Sequence, residues 1–538
     1  MKTNYLTFTK GLCALLMMLT YFQNASASVR EEIVIVEGFE YMLTYDDETW
    51  SGSAAMITRS WDMENNEWCS IQYDDWNTDS VYVVPSSIGD FPVTTIYGGF
   101  AGFSDLKHVI IPYTVTTIGR GAFANSSIET IFFDNSNPYG YETQPITFGQ
   151  GSQWYGSEPD LGEFRSCERL TTVEFRRPIN QFSSCMFMNC PKLENVYFNF
   201  SSDHDENNFS IDTIGNFAFF NCSSLTHFQI PNTVKVIGNG AFAYCTNLKN
   251  INIPSGVTYI GNYAFAECHH LQGMTLNPAL QFIGEAAFLN CESLSNISIP
   301  DAITTIRSNT FYNCSNLTSL NLNNVTTFGE RSFAGCHKLT ELDLTKADSI
   351  GEAAFFGGSV FCVASSDIQG YDSLYLSISY REEGWATAET TLGSLKKITL
   401  GENVTLLNER TFVGHVLDTI TCWAPAPPIF SRTDNRDWVF STQVYDSTVL
   451  RVPQVLINDY REAYNWSRFA NIEGMNIMGN GDVNGDGQLT IGDITALIDM
   501  LLNTQSGNGN PINSDVNGDG NITIGDITVL IDKLLAGN

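Results

Sequence analysis

Asp482, Asn484 and Asp486 alternate along a short stretch that ends in Gly487, and Asp493 stands at the twelfth position counted from Asp482. Asp515, Asn517, Asp519, Gly520 and Asp526 repeat the pattern 33 residues later. Carboxylate and amide oxygens at positions 1, 3, 5 and 12, joined by a backbone carbonyl at position 7, form the donor set that a hard Ca²⁺ ion requires. The position-7 carbonyls belong to Gln488 and Asn521, and the glycines at position 6 allow the sharp turn. Two calcium ions are therefore expected. Asp482, Asn484, Asp486, Gln488 and Asp493 would hold the first, and Asp515, Asn517, Asp519, Asn521 and Asp526 the second. Aspartate at position 12 is a shorter arm than the usual glutamate, so bidentate contact needs a closer approach of the segment C-terminal to the loop.

That segment reads as a helix. Ile494, Leu497, Ile498 and Leu501 recur at helical spacing, and Ile527, Leu530, Ile531 and Leu534 repeat them, so each helix is expected to start at its ligand and to bury that face. No helix is expected ahead of either loop, because Met475 to Gly481 is rich in Asn and Gly. Between Gly481–Leu502 and Ser514–Leu535, 17 of 22 positions are identical. A duplicated half EF-hand of this kind resembles the type I dockerin domain. That resemblance implies docking to a cohesin domain on a scaffold or cell-surface protein, and the near-identity of the halves implies a pseudo-twofold arrangement. One departure stands out: well-known cellulosomal dockerins carry hydroxyl pairs at loop positions 10 and 11, where this chain has Ile491-Gly492 and Ile524-Gly525.

Most of the chain is periodic. Phe219, Phe242, Phe265, Phe288 and Phe311 stand 23 residues apart, each followed three residues later by Cys222, Cys245, Cys268, Cys291 and Cys314, and three further on by a leucine. Phe333 and Phe355 continue the register, Phe164 and Phe187 precede it, and Phe100, Phe123 and Phe412 mark looser copies. The Leu-x-x-Ile-x-Ile run alternates with period two, as a strand with one buried face does, and Pro231, Pro254 and Pro300 end their strands. One coil of this length cannot bury its own apolar side, so coils must stack, with their strands paired in parallel. The unit Ile237-Gly238-x-x-Ala241-Phe242-x-x-Cys245-x-x-Leu248-x-x-Ile251-x-Ile253-Pro254 resembles the BspA-like class of bacterial leucine-rich repeats. Membership of that class implies a surface or secreted protein, in several cases one that adheres to host proteins or other cells.

The expected architecture is a β-rich leucine-rich-repeat solenoid of parallel strands with short turns and helices, plus a small all-α calcium-binding dockerin domain. Its parts are a signal peptide at 1–27, an N-terminal β cap at 28–87, and the solenoid at 88–422 with insertions at 134–163, 200–211 and 357–394. A C-terminal cap at 423–475 and the dockerin at 476–538 complete it. Lys2 and Lys10, the short apolar run from Gly11 to Leu19 and the small residues Ala25-Ser26-Ala27 form the signal pattern. The run is too short to cross a bilayer and no later stretch could, so the expected location is secreted and extracellular, the cell surface included.

Charge narrows the partners. The formal net charge is −32, a field that repels polyphosphate, so nucleic acid is excluded as a partner. Thirteen cysteines are present. A cysteine in the same slot of every coil is read as a small buried apolar residue, giving a ladder of mostly reduced thiols, although export makes disulfides between coils a real alternative. No common catalytic motif occurs. The chain is accordingly read as no enzyme but a binding or adhesion module, with an unknown protein or glycan target for the solenoid and a cohesin-bearing protein for the dockerin. The other reading is a component of a dockerin-assembled polysaccharide-degrading complex, with a targeting role or weak hydrolysis. Outward strand positions (Gln229, Asn252, Thr275, Ser298, Asn321, Asp343) are the polar candidates for contact, and Phe132 and Tyr197 the aromatic ones. Tyr139, Tyr141, Trp154 and Tyr155 enrich the first insertion.

Overall fold

A computed structural model describes residues 29–36, 39–46, 52–57, 61–62, 67–68, 81–104, 106–136, 144–150, 162–198, 211–358, 362–367, 375–380, 393–431, 439–502 and 509–536. The expected signal peptide, Tyr139, Tyr141, Trp154 and Tyr155 of the first insertion, and most of the second insertion lie outside the described residues. The chain divides into two compact units, one comprising Met1–Cys268 with Ser366–Tyr375 and the other His269–Ser365 with Leu376–Asn538.

The first unit opens with an antiparallel meander of Val29–Val36, Phe39–Asp46 and Gly52–Ile57. Its third strand then pairs in parallel with Phe91–Ile96, and parallel pairing takes over. Val81–Val83, His108–Ile111, Thr130–Phe133, Thr172–Phe175 and Asn195–Phe198 form one sheet in that order, without a register shift. His227–Gln229 pairs with Asn250–Asn252 in the same manner. The alternation does what the period demands: Ile131, Phe133, Val173 and Phe175 are buried, while Phe132 and Glu174 face outward.

Each regular coil also contains a second strand that the repeat pattern did not announce. Thr213–Ile214, Val236–Ile237 and Tyr259–Ile260 form a separate parallel ladder. The residues just before the glycine of each Gly-x-x-Ala-Phe segment therefore pair with the neighbouring coil before the chain turns back. The cause is the close approach of backbones. Gly238 N donates to Ile214 O at 2.8 Å, and a Cβ on Gly238 would stand 2.7 Å from Asn216 N. At Gly238 the absent Cβ lets the two backbones approach that closely.

The turn itself is hydrogen-bonded from coil to coil. Gly240, Phe242 and Tyr244 donate to the carbonyls of Asn262, Ala264 and Ala266. Alternate amides reach the next coil because Gly240 and Tyr244 have positive φ. Asn189 and Asn221 fill the slot of Tyr244 in neighbouring coils, also at positive φ, and asparagine tolerates that conformation best among residues with a Cβ.

Phenylalanine rings fill the interior as a continuous stack. In the first unit, Phe100, Phe123, Phe164, Phe187, Phe219, Phe242 and Phe265 lie face to face at centroid separations of 4.9 to 5.4 Å. In the second, Phe288, Phe311, Phe333, Phe355, Phe412 and Phe440 do the same at 5.2 to 5.8 Å. Phe123 stacks directly on Phe164, Phe187 on Phe219 and Phe355 on Phe412, so all three insertions leave the stack unbroken. Phe440 is a further copy that its irregular spacing hides in the sequence.

The cysteine slot is buried as expected, and ten buried cysteines, among them Cys222, Cys245 and Cys314, are in no disulfide. They do more than fill space. Cys245 and Cys268 thiols reach the carbonyls of Phe219 and Phe242 at 3.1 and 3.2 Å, and Cys314 and Cys336 those of Phe288 and Phe311 at 3.2 Å each. Each thiol is thus a second donor to a carbonyl of the preceding coil that already accepts from that coil's own cysteine amide.

The second unit ends its sheet with Glu341–Leu344, Lys397–Leu400, Thr419–Cys422, Val449–Pro453 and Asn471–Met475, all parallel. Two short helices, α1 (Thr442–Ser447) and α2 (Ile457–Glu462), interrupt this closing segment. Trp466, Tyr460 and Phe469 are buried there, with Trp466 Nε1 donating to Pro428 O at 2.7 Å. Three further helices complete the unit: α3 (Ile491–Leu502), α4 (Pro511–Ser514) and α5 (Ile524–Ala536). Among the described residues, no helix is long and apolar enough to cross a membrane.

Candidate metal centre

The two acidic loops fold on their own side chains. Asp482 Oδ1 accepts from the amides of Gly485 and Asp486 at 2.9 and 3.1 Å, and Oδ2 from Gly487 at 3.0 Å. Asn484 Oδ1 accepts from Asp486 N at 2.9 Å, and Asp486 Oδ1 from Gln488 N at 2.8 Å. The second loop repeats the set: Asp515 Oδ1 and Oδ2 accept from Asp519 N at 3.1 Å and Gly520 N at 2.8 Å. Asn517 Oδ1 accepts from Asp519 N and Asp519 Oδ1 from Asn521 N, both at 2.8 Å. These amide contacts fix the rotamers, with Asp482 accepting three amides and Asp515 two, and a carboxylate's two oxygens offer about four lone-pair sites, so acceptor capacity is left for a cation.

Position 12 is held differently from the sequence-based expectation. Helices α3 and α5 begin at Ile491 and Ile524, two residues ahead of Asp493 and Asp526, rather than at the ligand. The physical reason is a capping box. Thr490 N donates to Asp493 Oδ2 at 2.8 Å while Thr490 Oγ1 accepts from Gly492 N at 3.1 Å; Thr523, Asp526 and Gly525 match these contacts. The other oxygen of each carboxylate accepts from the position-3 amide across the loop, Asn484 N to Asp493 and Asn517 N to Asp526, at 3.1 Å. Position 12 thus clasps both ends of its loop, and the tight N-cap supplies the approach that a short aspartate needs.

The donor set fits a calcium ion. Asp493 and Asp526 are fully buried and Asp515 nearly so. No hydrogen bond or ion pair brings a cationic side chain to any of the three among the described residues. Burial and the neighbouring Asp526 and Asp519 push the Asp515 carboxyl up, the signature of negative charge gathered without a counter-charge. Among the described residues no three acidic, His or Cys side chains suffice by themselves to hold a metal. The Asn484, Asn517, Gln488 and Asn521 oxygens are the remaining donors the loops offer.

The helix faces also differ from expectation. The buried core of this region is Val483, Leu497, Val516 and Leu530, with Ile494, Met500, Ile522 and Ile527 packed around it. Ile498 and Ile531 lie outside it, 37% and 38% exposed. The valines at loop position 2 take their place, because each loop folds back over the helix. A helix does precede the second loop: α4 is a single turn, with Pro511 at its start and Asn510 Oδ1 accepting from Ile512 N at 3.0 Å. The Asn510-Pro511 pair was the available signal.

A duplicated apolar surface remains. Ile491 and Ile524 are 76% and 77% exposed, and Leu502 and Leu535 75% and 81%. An open groove of about 580 Å³ lies at one end, lined by Ile498, Leu501, Leu502, Thr523, Ile524, Gly525 and Ile527. On the sheets, Gln229, Asn252, Thr275, Ser298, Asn321 and Asp343 all face solvent, as does Tyr197, while Phe132 is half-buried. Phe132, Glu174 and Tyr197 occupy one cross-strand row.

Comparison with known proteins gives two family matches. The BspA type leucine rich repeat region matches residues 91–142, 160–269 and 235–360 in six copies, and the dockerin type I domain matches residues 480–535. No curated protein matches the chain. The chain is also similar to three solved structures. A leucine-rich repeat protein from Bacteroides ovatus ATCC 8483 is 18% identical, with a TM-score of 0.40 covering 80% of this chain and 100% of that one. A leucine rich cell surface protein from Faecalibacterium prausnitzii A2-165 is 19% identical, with a TM-score of 0.34 covering 76% and 97%. The pneumococcal vaccine antigen PcpA is 17% identical, with a TM-score of 0.41 covering 83% and 99%.

Proposed function

We propose that this chain, which carries BspA type leucine-rich repeats and a C-terminal type I dockerin domain, is a secreted binding module anchored by its tail. Two calcium ions, held by Asp482, Asn484, Asp486, Gln488 and Asp493 and by Asp515, Asn517, Asp519, Asn521 and Asp526, order the loops. The ordered loops set the angle at which α3 and α5 leave them, and the helices present their apolar residues to a cohesin on a scaffold or cell surface. The repeats meet a second protein or a glycan through their outward face.

The observation that carries this reading is the pair of loops whose carboxylates are fixed by amides of their own loop, in a segment that matches the dockerin type I family. The repeat interior supports a binding role rather than a reaction centre, since the stacked rings and thiols consume it. The test is capture of the whole protein on immobilised cohesins of several types, with calcium or with chelator. Capture is expected in calcium only, and the double variant Asp486→Ala plus Asp519→Ala should not be captured. Equal capture of the variant, or capture in excess chelator, would refute calcium-dependent docking.

A further inference from the structure

The two loops are nearly the same in sequence but not in surroundings. Around the first, a Cβ placed on Gly485 or Gly487 would meet nothing within 4 Å. Around the second, the equivalent of Gly487 is Gly520, which is buried. A Cβ there would collide with Gln454 Cγ, and it would stand 2.8 Å from Asn476 Oδ1. Gly518 lies against the backbone of Met478, with a Cβ position 3.3 Å from it. Gln454 begins the one-turn helix Gln454–Leu456 directly after the sheet strand Val449–Pro453, and it also fills the space above Gly474 in the last strand.

The connector is bound to the same half. Gly479 N donates to Asp515 O at 2.6 Å and Gly481 N to Asn513 O at 3.2 Å. Lys533 Nζ, on α5, donates to Gly479 O at 3.1 Å. The second loop is therefore clasped between the closing segment of the repeats and the strap that leads out of it, whereas the turn of the first loop stands in solvent.

From this asymmetry we infer that calcium in the second loop seats the paired-loop module on the closing segment through Gln454 and Asn476, and that the two calcium sites are consequently inequivalent. The inference rests on the calcium reading above. The side-chain ligands are the same in both loops, so any difference in affinity must come from context. A loop already restricted by packing loses less freedom when it closes on an ion, which favours tighter binding. Linkage is reciprocal: if seating strengthens binding, binding strengthens seating by the same factor. The exposed helix residues Ile491, Ile524, Leu502 and Leu535 stay open, so seating fixes where the module points without covering its apolar faces.

The test uses the full-length protein and calcium chloride alone. Asp486→Ala leaves only the second loop able to bind, and Asp519→Ala only the first. Calorimetric titration should show the second loop binding at least about threefold more tightly. Adding Gln454→Ala should bring its affinity down towards that of the first loop and leave the first unchanged. Hydrogen exchange at the Gln454–Leu456 amides should slow on calcium addition in the unsubstituted protein and in Asp486→Ala, but not in Asp519→Ala. Equal affinities in the two single-loop proteins, or exchange at those amides indifferent to calcium, would overturn the inference while calcium binding stands. Absence of calcium uptake by every protein would overturn both.

Discussion

Acidification is expected to loosen the base of the third insertion through one histidine. His415 is 2% exposed. Its Nε2 donates to Phe355 O at 2.8 Å, and its Nδ1 accepts from Leu395 N at 3.3 Å, so the neutral ring pins the chain before and after the insertion. A Cβ on Gly393 would collide with the ring, as would one on Gly357, so both glycines are needed to admit it. Burial pushes the imidazole down from 6.5 to about 4, with His337 nearby adding like-charge opposition. Between about pH 4 and 6.5 the unfolded chain binds the proton that the folded one refuses, so stability falls as pH falls. With those two values the loss is about 2 kcal/mol at pH 5 and approaches ~3 kcal/mol below pH 4. Protonation also removes the acceptor for Leu395 N–H. Hydrogen exchange at the Leu395 amide, corrected for intrinsic rates, should therefore report local opening roughly twentyfold more frequent at pH 5 than at pH 7. His415→Gln can keep one donor and one acceptor without titrating, and it should flatten that dependence. An unsubstituted protein whose Leu395 protection is constant from pH 7 to 4.5 would refute the argument.

The interior sets two more outcomes. Phe242→Ala removes a fully buried ring stacked at 5.1 Å on Phe219 and 5.4 Å on Phe265, and it should cost about 3–5 kcal/mol. The outward Asn252→Ala should stay within about 0.5 kcal/mol; urea unfolding followed by far-ultraviolet circular dichroism would distinguish them, and equal midpoints would contradict the stack. Burial pushes the Cys245 thiol up to about 12 and the Cys422 thiol up to about 11, so neither is a nucleophile at pH 8. Iodoacetamide followed by peptide mass mapping should find both unmodified until denaturant is added, and prompt labelling of Cys245 in the native protein would count against the buried-thiol account.

The sequence exposed whatever repeats and concealed whatever depends on a neighbour. Phe219 to Phe311 at constant spacing located the interior, and the period-two run located the outward strand positions, because both arise from one coil copied onto itself. The second ladder at Val236–Ile237 and Tyr259–Ile260 is only two residues per coil, too short for alternation to show. Its cause, the inter-coil approach at Gly238, belongs to two coils at once. Phe440 was hidden because its coil is irregular, although its ring stacks on Phe412 as the others do. In the loops, ligand types could be read off directly. The capping box at Thr490 could have been, since Thr-x-x-Asp stands in the sequence. The roles of Val483 and Val516 could not, because nothing in a loop motif says that position 2 folds over its own helix. The contact of Gly520 with Gln454 joins residues 66 positions apart, and no local pattern announces it.

Buried ionisable side chains show how the solenoid absorbs its interruptions. Arg177, fully buried, lies where the first insertion begins to displace the turn of the coil ending at Phe133. Its guanidinium donates to Tyr113 O at 2.8 Å, to Pro112 O at 3.1 Å and to Val115 O. These carbonyls belong to the coil before the interrupted one, and the arginine supplies them with side-chain donors across the gap. Burial lowers it only to about 10, and it remains charged. Glu163 stands at the far end of the same insertion, where Ser183 Oγ donates to its carboxyl and burial pushes it up to about 7. His415 plays the corresponding part at the third insertion. Arg177 at the first insertion and His415 at the third bond to backbone groups of other coils, and an unpaired carbonyl or amide in that interior costs about 1–3 kcal/mol. The first and third insertions are thus tied to the stack at their bases by buried side chains that reach the backbone of other coils.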